Sequence, residues 1–141
     1  MNVKFAGRKC LGIIFGLNKN GRYHTVLVLL DNEEYEVFTV YDEVVADLNK
    51  KYHYMDSQTE DFKSPYEKGD KYQHGVTALK VHKLDLKTYW LFPAGDPSST
   101  DDDNSIDVVA TDGCNVRIRY QSGAMINQVI EDNSRENSKD Y

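Results

Sequence analysis

The stretch DPSSTDDDNSID, residues 96–107, sets Asp101, Asp102 and Asp103 side by side, with Asp96 and Asp107 close by in sequence. No basic residue occurs between Lys87 and Arg117. Clustered carboxylates serve three ends: they hold hard cations, keep a loop tip in water, or offer charge to a basic surface. Cation binding fits poorly. A calcium loop starting at Asp101 would place Ile106 where the sharp turn needs glycine, and Val109 where an oxygen ligand belongs. No metal and no cofactor are therefore expected. A solvated tip is the simplest reading of the loop taken alone.

The remaining reactive side chains nominate no catalytic centre. The four histidines are His24, His53, His74 and His82, and none stands in an HExxH pattern or at zinc-ligand spacing from a cysteine. His53 and His74 flank a long irregular stretch, where Asp56, Glu60 or Asp61 could join them in an acid–base group. Cys10 and Cys114 are the only cysteines and read as free, buried thiols. There is no GxSxG nucleophile turn and no glycine-rich phosphate loop. The expectation is a protein that works by binding.

Charge is sorted along the chain. The net charge is -6. Residues 1–30 carry five bases and no acid, whereas residues 31–49 carry seven acids and no base. Clean acidic blocks repel nucleic acid and suit a basic protein partner. The basic N-terminal segment supports an alternative. With Phe5, Phe15 and Tyr23 it could form a small β-barrel module that binds single-stranded nucleic acid. No run of apolar residues is long enough to cross a membrane as a helix, so a membrane role is not expected and the location is read as cytoplasmic.

The elements that must carry these residues follow from pattern. RKCLGIIFGL, NKNG and RYHTVLVLL read as a hairpin, because Asn and Gly tolerate positive φ at the turn. EYEVFTVY alternates and predicts a third strand, completing a meander over residues 8–41. A short helix is expected at 42–51, capped by Asp42 and closed by Lys50 and Lys51. Residues 52–73 read as a long loop, and GVTALKVHKL as a strand. LKTYWLF, then IDVVATD, the turn DGCN and VRIRY, supply three more strands. Residues 123–130 read as a short helix or edge strand. The fold class is α+β: a single β-rich domain over residues 1–130, with an antiparallel twisted sheet or partial barrel of about seven strands and one or two short helices. Residues 131–141 read as a disordered acidic tail.

Ten tyrosines are many for 141 residues, and several stand among acids. Tyrosine gives large contact area at small entropic cost, as protein interfaces require. The acidic turn at 31–36 and the loop at 96–107 could together offer carboxylates at phosphate-like separations, which arginines and lysines in a nucleic-acid groove would accept. The partner-binding set expected on this basis is Glu33, Glu34, Glu36, Asp96, Asp101, Asp102 and Asp103, with Tyr35, Tyr41 and Tyr66. In composition the chain resembles the small acidic inhibitors that phages make against restriction and CRISPR nucleases. That resemblance implies an anti-CRISPR or anti-restriction mimic of nucleic acid and carries no residue roles.

Overall fold

The structure, a computed structural model, describes residues 4–5, 7–17, 23–67, 69, 71–92 and 104–121. Seven strands are hydrogen-bonded in one sheet: β1 (Lys4–Phe5), β2 (Arg8–Leu17), β3 (Tyr23–Leu30), β4 (Ser57–Phe62), β5 (Leu84–Phe92), β6 (Asn104–Ala110) and β7 (Val116–Gln121). Their order is β1-β2-β3-β7-β6-β5-β4. The sheet is antiparallel and not closed, and with the two helices it gives the α+β, β-rich class expected. β1 pairs through only two residues, Lys4 with Lys9 and Phe5 with Arg8, so six strands make up the sheet proper. A 3₁₀ turn at Glu34–Glu36 leads into helix α1 (Val37–Lys51), and a second helix, α2, spans Lys71–Lys80.

Four expectations are corrected. EYEVFTVY is the 3₁₀ turn and the start of α1, not a strand. Its apolar residues Val37, Phe38 and Tyr41 continue through Val44, Val45 and Leu48, and all six are buried. That spacing is helical, and no turn residue interrupts it, so the longer pattern overrides the local alternation. Asp42 consequently lies inside the helix and does not cap it. Residues 75–80, read as the start of a strand, are instead helical and end α2, with Gly75, Ala78 and Leu79 buried at i, i+3 and i+4. The stretch read as a loop from residue 52 contains β4, which lies at the end of the sheet order and pairs with β5. An edge strand covered on one face needs few apolar residues, so SQTEDF gave little signal.

The first hairpin, β5, β6 and β7 stand as expected, as do the two lysines in the last turn of α1. In the turn between β6 and β7, Cys114 takes a positive φ of 61°. Asn32 secures it: its Nδ2 donates to Cys114 O at 2.9 Å, and its Oδ1 accepts from the Val116 N–H at 3.2 Å.

The described chain divides into two compact units. One comprises residues Met1–Asp31, Leu91–Ile106 and Ile118–Tyr141; the other comprises Asn32–Trp90 and Asp107–Arg117. In the first, Val26, Val28 and Leu30 of β3 are buried. In the second, α1 and β5 are joined by two polar links. Tyr41 hydroxyl bonds Thr88 Oγ1, which also accepts from Gln58 Nε2 of β4 at 3.0 Å. The indole N–H of Trp90 donates to Asn49 Oδ1 and to the His53 carbonyl, each at 3.0 Å. Buried polar groups satisfied in this way fix the helix over the strand as apolar contact alone does not.

Candidate interaction surface

The 3₁₀ turn and α1 bring one acidic block to the surface. Glu33, Glu34 and Tyr35 are exposed, Tyr35 at 77%, and Glu36 is half-buried. The Tyr35 phenol is held above its ordinary pKa, chiefly by its hydrogen bond with Glu36 and then by the charges of Glu36 and Glu33. It therefore stays neutral near pH 7. Beyond the turn, Asp42, Glu43 and Asp47 face solvent on the side of α1 opposite its buried stripe. From Glu36 to Asp47 this side carries four carboxylates over about 16 Å of helix, at about 1.5 Å rise per residue. Acids at a helix start are also favoured by the helix dipole, which gives Glu33, Glu34 and Glu36 a structural role in addition.

The block is partly neutralised. Lys80 of α2 reaches Glu34 at 2.7 Å, and that hydrogen bond and charge raise the lysine's pKa. This is a solvent-exposed pair and contributes little to stability. Lys50 and Lys51 bound the acidic side at the C-terminal end of α1.

Other expected residues are placed differently. Tyr41 is completely buried, so it is removed from the partner-binding set. Its position on the core stripe of α1, with a hydroxyl partner in Thr88, explains why. Tyr66 is half-buried, and its ring centroid lies 6.5 Å from that of His74. Asp96, Asp101, Asp102 and Asp103 lie outside the described residues. Sequence reasoning passed over Asp42, Glu43 and Asp47 as surface groups because it gave residues 34–41 to a strand. Extending the helical period back to Val37 would have placed them beside Glu36.

The histidine and acid group around residues 52–74 separates into individual pairs. His53 Nε2 lies 3.0 Å from Asp56 Oδ2 on the exposed surface. Glu60 is engaged by Lys71 Nζ at 3.2 Å. Asp61 stands opposite Asp85 across the β4–β5 pair, with Lys63 Nζ 3.5 Å from the Asp85 carboxylate. Among the described residues no three His, Cys, Asp or Glu side chains stand close enough to hold a metal. Both cysteines are free; Cys114 is buried and Cys10 is half-buried. Burial, then the charge of Glu34, pushes the Cys114 thiol up, which disfavours its thiolate form.

A concavity of about 310 Å³ opens beside β4, β5 and β6, lined by Thr59, Leu84, Asp85, Leu86, Lys87, Val109 and Ala110. Lys87 already lies over the ring of Tyr89, 5.9 Å from its centroid. No helix among the described residues is long and apolar enough to cross a membrane.

No protein-family model matches the chain, and no curated protein or solved structure matches it either.

Proposed function

We propose that this protein acts by binding and not by catalysis, as an acidic inhibitor that occupies a basic, nucleic-acid-binding surface of a protein partner. The observation that carries the reading is the exposure of Glu33, Asp42, Glu43 and Asp47, with half-buried Glu36 between them, along the 3₁₀ turn and α1, beside the projecting Tyr35. From Glu36 to Asp47 four carboxylates follow one another at steps of about 9, 1.5 and 6 Å along the helix axis, about 5.5 Å on average, against about 3.4 Å per phosphate along one DNA strand, so the side offers an irregular row of negative charge on that scale. Arginine and lysine side chains that grip phosphates would accept these carboxylates through charge-assisted hydrogen bonds. Tyr35 would add contact area at low entropic cost. A restriction or CRISPR nuclease of a phage-infected cell is the partner class that the chain's composition suggests.

The test is affinity capture from a bacterial lysate with the tagged chain, followed by elution with duplex DNA. Nucleic-acid-binding proteins should be retained and should leave the resin as DNA or salt is added. Unchanged capture by a variant with Glu33, Glu36, Asp42, Glu43 and Asp47 replaced by their amides overturns the reading.

One observation favours a second reading, in which the first hairpin binds single-stranded nucleic acid. Phe15 is 45% exposed on a strand that begins with Arg8 and Lys9. A gel shift at low salt separates the two. Retention of an oligonucleotide by the purified chain, lost as salt rises, selects the second reading.

A further inference from the structure

Within the second compact unit, both helices meet the sheet from one side. Thr88 and Trp90 of β5 bond α1, and Glu60 of β4 pairs with Lys71 of α2. The opposite side of β4 and β5 is open to solvent: Thr59, Asp61, Asp85 and Lys87 are all exposed. The strand register sets Asp61 directly opposite Asp85, and Thr59 directly opposite Lys87. Like charges directly opposite each other work against the pairing of two strands. Lys63 Nζ stands 3.5 Å from the Asp85 carboxylate, but both side chains are more than half exposed, which makes that pair weak. Beside these residues lies the concavity of about 310 Å³, with half-buried Val109 in its lining.

We propose that this patch is a contact between two copies of the chain, related by a two-fold axis that crosses β5 between Asp85 and Lys87. Charge complementarity selects the occupant. Asp85 and Lys87 lie about 7 Å apart along one side of β5. An axis lying between the two sheets, at right angles to β5, reverses the strand and lays Asp85 over Lys87 of the second copy. The same rotation lays Asp61 over Thr59 of the second copy. The Thr59 hydroxyl can donate to that carboxylate, and the Lys87 ammonium comes within reach of both aspartates. Each acid–base contact then occurs twice, as an isologous interface requires. A wholly basic or wholly acidic partner would satisfy only half of the pattern. Lys87 is available for this role: its Nζ lies 5.9 Å from the Tyr89 ring centroid, a weak contact on an exposed face. The patch spans three strands, about 14 Å, and about 20 Å along them, or about 300 Å². Standard interfaces bury about 800 Å² per partner, so the association is weak and depends on concentration. The patch shares no residue with the acidic side of α1.

Sedimentation equilibrium of the full-length chain, taken up to about 1 mM, tests this. The average mass should climb toward twice that of one chain, and less so as salt is added. Lys87→Asp and Asp85→Lys should each weaken the association by roughly tenfold or more, because each sets like charges face to face. Both positions are exposed, so both variants should keep the native fluorescence of Trp90. Mixed in equal amounts, the two variants should associate again, since the introduced charges then meet their opposites. Three results overturn the proposal. One is a chain that stays monomeric over the whole range. Another is self-association that neither variant weakens. The third is a pair of natively folded variants that stay apart when mixed.

Discussion

Asn49 of α1 accepts the indole N–H of Trp90, a residue of β5, at 3.0 Å. The same oxygen accepts the backbone N–H of Met55 at 2.8 Å. One amide thus fastens the last turns of the helix to a fully buried indole and to the chain that leads into β4. Replacing Asn49 with leucine keeps the bulk and removes the acceptor. Trp90 retains the His53 carbonyl, but the Met55 N–H loses its partner. The loss expected is about 1–3 kcal/mol, the usual cost of a buried donor left unmade. Urea unfolding followed by Trp90 fluorescence measures it directly, since this is the chain's only tryptophan. A change below about 0.5 kcal/mol would mean that water replaces the amide without cost.

The Tyr41–Thr88 bond gives the protein a pH-dependent stability. Burial, the first cause, pushes the Tyr41 phenol up to about 12 from 10.0, against the lowering effect of its bonds to Thr88 and Gln58. The folded state therefore holds this proton more tightly than the unfolded chain does. The stability it represents is complete below pH 10 and is lost as pH rises from about 10 to about 12, by about 2–3 kcal/mol in all. Tyr41→Phe should be less stable at pH 7, where the hydroxyl leaves Thr88 with Gln58 alone, and should decline less steeply between pH 10 and 11.5. Urea midpoints across that range, compared between the two chains, decide it. Parallel slopes would exclude Tyr41 as the titrating group.

Gly75 of α2 is a packing requirement and not a helix-breaking accident. A Cβ added there would stand 2.6 Å from Cζ and 2.7 Å from Cε2 of Phe38. That ring is itself buried in α1, so it has little room to yield. Alanine ordinarily improves a helix by up to about 1 kcal/mol over glycine. Here overpacking should outweigh the gain and leave Gly75→Ala about 1–2 kcal/mol less stable. Pairing it with Phe38→Leu should recover much of the loss, which a double-mutant cycle would show as coupling between the two sites.

The misplaced elements share a physical cause. β2, β3, β5, β6 and β7 were legible because strong turn signals and β-branched runs agree along those segments. Residues 34–41 and 75–80 are short enough to satisfy both periods. Only the continuation through Leu48, and the fit of Gly75 to Phe38, decides for helix. The first was readable from a longer window; the second is a contact between residues 37 positions apart in sequence and was not. β4 is polar because one of its faces meets water, so its pairing with β5 left no trace in SQTEDF. The acidic surface was half legible: the block at 33–36 stood out, while Asp42, Glu43 and Asp47 join it only once residues 37–51 form a single helix.

The last prediction separates the two roles of that surface. Glu33 and Glu36 precede α1, where negative charge is favoured by the helix dipole. Asp42, Glu43 and Asp47 lie farther along, where the dipole effect has faded. Amide replacement of Glu33 and Glu36 should therefore cost about 0.3–1 kcal/mol each in stability. The same change at Asp42, Glu43 and Asp47 should stay within about 0.5 kcal/mol. If the whole side meets a basic partner, both variants should lose capture alike and steepen the loss with salt. Thermal melting beside quantitative pull-down reads the two effects separately. Capture that follows stability, falling only in the Glu33 and Glu36 variant, would assign these acids to the helix and leave the partner to another surface.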